Sequence, residues 1–132
     1  MARGHDINKA RKIAVAGLGR ELVRRARSTC ELCAVKGESL TVIEVGPNPD
    51  APDPDRAVMI CRPCEEGATG GKLDGDRWRF LESLVWSDVP PVQVVAVRLT
   101  GRLAANRVGW AQGAIDGLYL DDEIRAWADA EA

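Results

Sequence analysis

From Ile7 onwards, apolar residues recur every three or four positions: Ile7, Ala10, Ile13, Ala14, Gly17, Leu18, Leu22, Val23 and Ala26. That spacing gathers them on one side of a helix and predicts a basic amphipathic helix over residues 1–27, capped by Asp6. Its opposite face carries Lys9, Arg11, Lys12, Arg20, Arg24, Arg25 and Arg27. Gly17 and Gly19 each weaken a helix interior by about 1 kcal/mol relative to alanine, so a break is expected between them.

Beyond residue 27 the period changes. Ser39 to Val45 is rich in β-branched residues and reads as a strand. The stretch from Gly46 to Asp55, crowded with proline and aspartate, reads as an exposed loop. Ala57 to Ile60 then returns as a second short strand. Gly67-Ala-Thr-Gly-Gly71 has the composition of a flexible joint, and helical spacing resumes after it. Asp74 or Asp76 is placed to cap a helix burying Trp78, Leu81, Leu84 and Val85, with Phe80 beside them. Asp88-Val-Pro-Pro91 ends that helix and can open another, because proline is tolerated in a first turn. Val92 to Leu103 has a strand-like start, but Leu99 and Leu103 continue a helical spacing and a helix is expected. A last helix starts near Asp121 or Asp122, with Ile124 and Trp127 on its buried side. No run approaches membrane-spanning length.

The 132 residues hold four cysteines, in two matched pairs, Cys30-Glu-Leu-Cys33 and Cys61-Arg-Pro-Cys64. A two-residue spacer lets both sulfurs of a pair turn to one point, and two pairs supply four thiolates for a tetrahedral ion. Cys30, Cys33, Cys61 and Cys64 are therefore the expected metal ligands, with Zn2+ as the ion. Iron is the rival metal, since all-sulfur tetrahedral sites suit both. Against iron, Ala34 and Glu65 follow the two pairs where a rubredoxin-like site would have glycine. Paired disulfides would need an oxidising compartment. The charged, interrupted N-terminus lacks the apolar stretch of a signal peptide, so a cytoplasmic location is expected. A dithiol oxidoreductase would need one pair in a βαβ setting that the pattern lacks.

Three segments follow: the basic helix over 1–27, a four-cysteine zinc-binding module over 28–66, and a helical region over 67–132. The fold class is α+β, with a zinc-ribbon or treble-clef-like β-hairpin module flanked by the basic helix and a helical C-terminal half. The hairpin is too short to fold alone, so the metal would serve as its core.

Several separated motifs stand in one order: Cys-Glu-Leu-Cys, a strand ending Glu-Val before a proline-rich loop, Ile-Cys-x-x-Cys and Leu-Asp-x-x-x-Trp. Trp86-Ser-Asp-Val-Pro and Leu-Tyr-Leu-Asp-Asp-Glu complete the order, with Trp127 behind them. Over residues 22–129 this resembles the PhnA family, specifically its proteobacterial N-terminal region. The resemblance implies a zinc-ribbon-like module followed by helices, in a family named after an alkylphosphonate-utilisation operon and in places labelled phosphonoacetate hydrolase. Only the metal role carries over, onto Cys30, Cys33, Cys61 and Cys64. Ala34 departs from the glycine usual after the first pair. Longer members continue into a small C-terminal β domain that this sequence does not include, so a function housed there does not transfer.

Charge bears on what remains. The net charge is -2, yet residues 1–27 carry eight Lys or Arg against two acids, +6, which leaves -8 for the rest. Arg20, Arg24, Arg25 and Arg27 are candidate nucleic-acid contacts, since a basic helix can neutralise phosphates. The plainer reading is a solvated face pairing with the acidic body. The four tryptophans sit among leucines and valines and read as core anchors rather than base-stacking platforms. No catalytic constellation emerges. The cysteines are taken by the metal, His5 is the lone histidine near a fraying terminus, and a four-cysteine site has no position open for water. Asp50, Asp53 and Asp55 belong to a solvated loop, and the run Asp121-Asp122-Glu123 caps a helix. The glycine-rich stretch before Lys72 lacks phosphate-loop spacing. Some HNH endonucleases share the scaffold, but they need histidines where Ile43 and Glu44 stand. The expected function is non-catalytic: a structural zinc supporting a protein- or nucleic-acid-interaction surface, with a protein partner or a homodimer as occupant. A phosphonate-metabolism enzyme is the alternative.

Overall fold

The computed structural model describes residues 2–130, with side chains from Ile7 onwards, so expectations resting on the side chains of Arg3, His5 and Asp6 fall outside the described residues. The chain runs α1 (Ala2–Ala16), α2 (Gly19–Ala26), β1 (Leu40–Glu44), β2 (Ala57–Cys61), α3 (Arg62–Ala68), α4 (Leu81–Leu84), α5 (Pro90–Ala105), α6 (Gly109–Asp116) and α7 (Asp122–Asp129). It is an α+β fold whose two strands pair antiparallel, Leu40 facing Cys61 and Glu44 facing Ala57.

The N-terminal helix breaks at the two glycines, α1 ending at Ala16 and α2 starting at Gly19. Two parts of that expectation need correction. The helix begins at Ala2, which puts Asp6 inside it rather than at its cap. Its apolar stripe is not a packing face either, because Ile7 and Ile13 remain 62% and 65% exposed. A helix buries apolar residues only where a partner surface meets them, and here that surface is short. Leu22 of α2 reaches it and packs, fully buried, against Ala57 and Met59. α1 is held by a polar clamp instead. The Arg11 guanidinium donates to both oxygens of Glu44, at 2.9 and 2.6 Å, and to the carbonyls of Pro49 and Asp50.

Every residue of β2 is buried. Ala57 and Met59 pack towards α2, while Val58, Ile60 and Cys61 join the main core. A strand covered on both faces reads as an unbroken apolar run rather than an alternation, which is what Ala57-Val-Met-Ile-Cys61 shows.

The helical half is organised around α5. Pro90 and Pro91 occupy its first turn as expected, and Val92, Val94, Ala96, Leu99 and Leu103 are buried along it. The Thr100 hydroxyl, also buried, donates to the Ala96 carbonyl at 2.7 Å, so no polar group is stranded. The expected helix around Trp78 to Val85 shortens to α4, because Asp74 accepts from the Asp76 N–H at 2.9 Å and favours turns. Trp78, Leu81 and Val85 are nonetheless core residues. Trp86 is not an anchor, being 52% exposed. None of the helices among the described residues is long and apolar enough to cross a membrane.

The stretch from Gly67 to Gly71 is no flexible joint. Arg102 of α5 donates to the carbonyls of Gly67 and Gly71, at 2.7 and 2.8 Å. Gly67 lies against the Trp78 indole so closely that a Cβ there would stand 2.3 Å from Cζ2. Buried residues from Cys30 to Ala128 consequently form one continuous cluster linking cysteine module and helices. Because Trp78 is 2% exposed and cannot swing clear, Gly67→Ala should destabilise the protein by about 2–3 kcal/mol, measured by urea unfolding followed through tryptophan fluorescence.

Candidate metal centre

Each cysteine pair is placed by a different local structure. Cys30 and Cys33 sit on a tight turn closed by the bridge between Thr29 and Lys36 and by the Ala34 N–H donating to the Cys30 carbonyl at 2.9 Å. To make that turn Ala34 adopts φ 66, in the left-handed region that favours glycine. Cys61 is the last residue of β2, and Cys64 lies in the first turn of α3 behind Pro63. β2 thus runs directly into a helix start, since proline is pre-set for the first turn.

The hairpin then brings the two pairs together. All four Sγ atoms lie within 4.8 Å of one another, and Cys33 Sγ stands 3.6 Å from Cys61 Sγ. Tetrahedral zinc–sulfur bonds of about 2.3 Å require sulfur separations of about 3.8 Å, so the donor set fits such an ion with little movement. No disulfide links them, and Cys30, Cys61 and Cys64 are buried. Among the described residues this is the one group of His, Cys, Asp or Glu side chains close enough to share a metal ion.

The turn already favours one thiolate. The Cys64 thiol lies beside Cys30 Sγ as a donor, and the N–H groups of Leu32 and Cys33 point at it from 3.4 Å. These donors outweigh burial and hold Cys30 down at about 4. The same contact, with burial, pushes Cys64 up, and burial chiefly pushes Cys33 up. Cys33 and Cys64 must therefore lose protons when a cation binds. The metal-bound form holds fewer protons, so affinity should rise with pH. A chelator-competition titration at about pH 6 and about pH 8 should find tighter binding at the higher value.

Sequence reasoning missed Glu31, the residue between the first two ligands. Its side chain is 5% exposed and forms a paired ion bridge with Arg25, at 2.9 and 2.7 Å. Glu31 Oε1 also accepts from the Met59 N–H, and the Glu31 N–H donates to the Met59 carbonyl, both at 2.9 Å. One residue thus fastens the first cysteine turn to β2 and α2. The available signal was an acid inside an otherwise apolar metal turn. Arg25 goes further, donating to the carbonyls of Pro54 and Ala57 at 2.9 and 2.8 Å, so its guanidinium is engaged inside the fold rather than facing a phosphate. Arg20, Arg24 and Arg27 are exposed on α2 and its C-terminal end. Asp53, Asp55, Asp121, Asp122 and Glu123 come together around an open cleft beside Trp86 and Trp127. Asp53 there closes the turn before β2 by accepting from the Asp55 N–H at 2.8 Å. Replacing Glu31 by alanine should cost about 2–4 kcal/mol in thermal or urea unfolding, somewhat below a wholly buried pair because Arg25 keeps 22% exposure.

No protein-family model matches this chain, and neither a curated protein nor a solved structure does.

Proposed function

We propose that the four cysteines bind one zinc ion whose role is structural, and that the scaffold built on it presents an interaction surface without catalysing a reaction. The convergence of four sulfurs within 4.8 Å carries this reading. Four protein sulfurs complete zinc's usual coordination and leave no position for a water or a substrate oxygen, which weighs against phosphonate hydrolysis. Zinc is favoured over iron by Ala34 and Glu65 behind the two pairs, as the sequence suggests.

One cysteine pair on a turn, a β-hairpin, then the second pair at the start of a helix is an order that supports a treble-clef-like module over a zinc ribbon. Resemblance to the PhnA family supports the same metal role. Four free thiols suit a reducing compartment such as the cytoplasm. The exposed Arg20, Arg24 and Arg27 keep nucleic acid among the candidate partners, beside a second protein.

A native mass spectrum of the protein, purified without added metal, should show one zinc per chain. Cys61→Ser should release it and unfold residues 28–66, seen as loss of the near-ultraviolet dichroism of Trp127, which is held by Gly46 and Arg56 of that segment. A variant keeping full metal and the native spectrum would overturn the reading, and iron in the spectrum would redirect it to electron transfer.

A further inference from the structure

The hairpin has one tied edge and one open edge. The Val45 N–H donates to the Arg56 carbonyl at 2.8 Å, which makes Val45 and Arg56 a hydrogen-bonded antiparallel pair. By alternation the next such pairs are Ile43 with Val58 and Thr41 with Ile60. Leu40, Val42 and Glu44 on one strand, and Ala57 and Met59 on the other, turn their N–H and C=O groups outwards. On β2 those groups are met by Glu31 and Arg25. On β1, no hydrogen bond to the main-chain groups of Val42 or Glu44 occurs among the described residues.

A groove runs along that edge. All five consecutive residues from Leu40 to Glu44 line it, as a strand's edge gives, and Met59 of β2 lines its inner end, where the groove passes onto the sheet face beside Gly19. The facing wall is α1, and the groove's volume is about 960 Å³. Lys9 and Lys12 line the α1 side, exposed and outside the ion pairs among the described residues, whereas Arg11 is closed onto Glu44.

We propose that this groove is the interaction surface, and that its partner is an extended acidic peptide segment of another protein, added as a third strand beside β1. The proposal rests on the zinc-built scaffold above, because the hairpin must be formed to offer the edge. Outward N–H and C=O groups at alternate positions recognise an extended main chain. Lys9 and Lys12 select carboxylates on it. A nucleic-acid strand would meet the lysines but cannot satisfy the paired donors and acceptors of Val42 and Glu44.

The test uses the full-length, zinc-loaded, isotope-labelled protein and a capped peptide of alternating valine and glutamate long enough to span β1, with a valine–lysine peptide as control. Native mass spectrometry first establishes one zinc per chain, and slow amide exchange at Thr41 and Ile43 establishes the hairpin. Failure of either counts against the zinc reading itself. With both in place, the acidic peptide at millimolar concentration should shift the Val42 and Glu44 amides and slow their exchange about tenfold, and the lysine peptide should bind about tenfold more weakly. Reversing charge with Lys9→Glu and Lys12→Glu should invert that preference. Val42→Pro, which removes an outward N–H, should abolish binding while keeping zinc. The proposal is overturned by Val42 and Glu44 amides already as protected as Ile43 in the free protein, or by no response to the acidic peptide. It is equally overturned by protection that grows with protein concentration alone, which would make a second copy the occupant, or by a response to an oligonucleotide in place of the peptide.

Discussion

Four thiolates held within 4.8 Å would repel one another strongly in a poorly screened interior, so the cluster either keeps protons or takes up a cation. The local backbone can stabilise a single negative charge, at Cys30, where three donors converge. Cys33 and Cys64 are pushed the other way, so the metal-free cluster keeps protons where ligands are wanted. A divalent cation reverses that preference at once. The hairpin, the turn at Cys30 to Cys33 and the start of α3 meet at the four sulfurs and also share the apolar core and the Glu31 contacts, so the metal we infer would lock together elements that already pack against one another.

The second constraint is size. A chain of 132 residues has a modest core, and its loops need fastening that apolar contact alone does not supply. Arginine does this repeatedly. Arg11 holds the carbonyls of Pro49 and Asp50, and Arg25 those of Pro54 and Ala57. Arg98 holds those of Gly46, Trp127 and Ala128, and Arg102 those of Gly67 and Gly71. Two indoles act alike, Trp110 donating to Gly75 and Trp127 to Gly46. A planar guanidinium with five donors can gather carbonyls from separate loops, which a lysine cannot do with the same geometry.

This explains which parts of the molecule were legible in the sequence. Short-range chemistry could be read directly: the cysteine spacing, the β-branched run of β1, and the prolines opening α5 all declare themselves within a few residues. What could not be read depended on distant partners. The composition of Gly67 to Gly71 says linker, yet Trp78 and Arg102 make it a packing site, and neither is adjacent in the chain. Glu31 looked like a spacer because Arg25 and Met59 become its partners only after the hairpin forms. The expected apolar stripe holds along α2 but not along α1, whose apolar residues are spread around the helix and meet no surface. Gly109 and Gly113 weakened the helical pattern of α6 enough to hide it.

In the basic N-terminal segment some of the charge is already committed within the fold. Its excess of +6 allowed a phosphate-binding face or, more plainly, pairing with the acidic body, and Arg11 and Arg25 are turned inwards onto Glu44 and Glu31 and onto loop carbonyls. What remains outward is divided in space: Lys9 and Lys12 along the β1 edge, and Arg20, Arg24 and Arg27 on and just beyond α2. The inward arginines set the position of the outward lysines, because Arg11 clamps α1 at the Glu44 end of the strand and so forms one wall of the groove. Removing that clamp would loosen the groove without touching the cysteines. The support of the cysteine turn and the wall of the proposed groove therefore come from different helices, Arg25 of α2 holding Glu31 and Arg11 of α1 holding Glu44 between the outward Lys9 and Lys12.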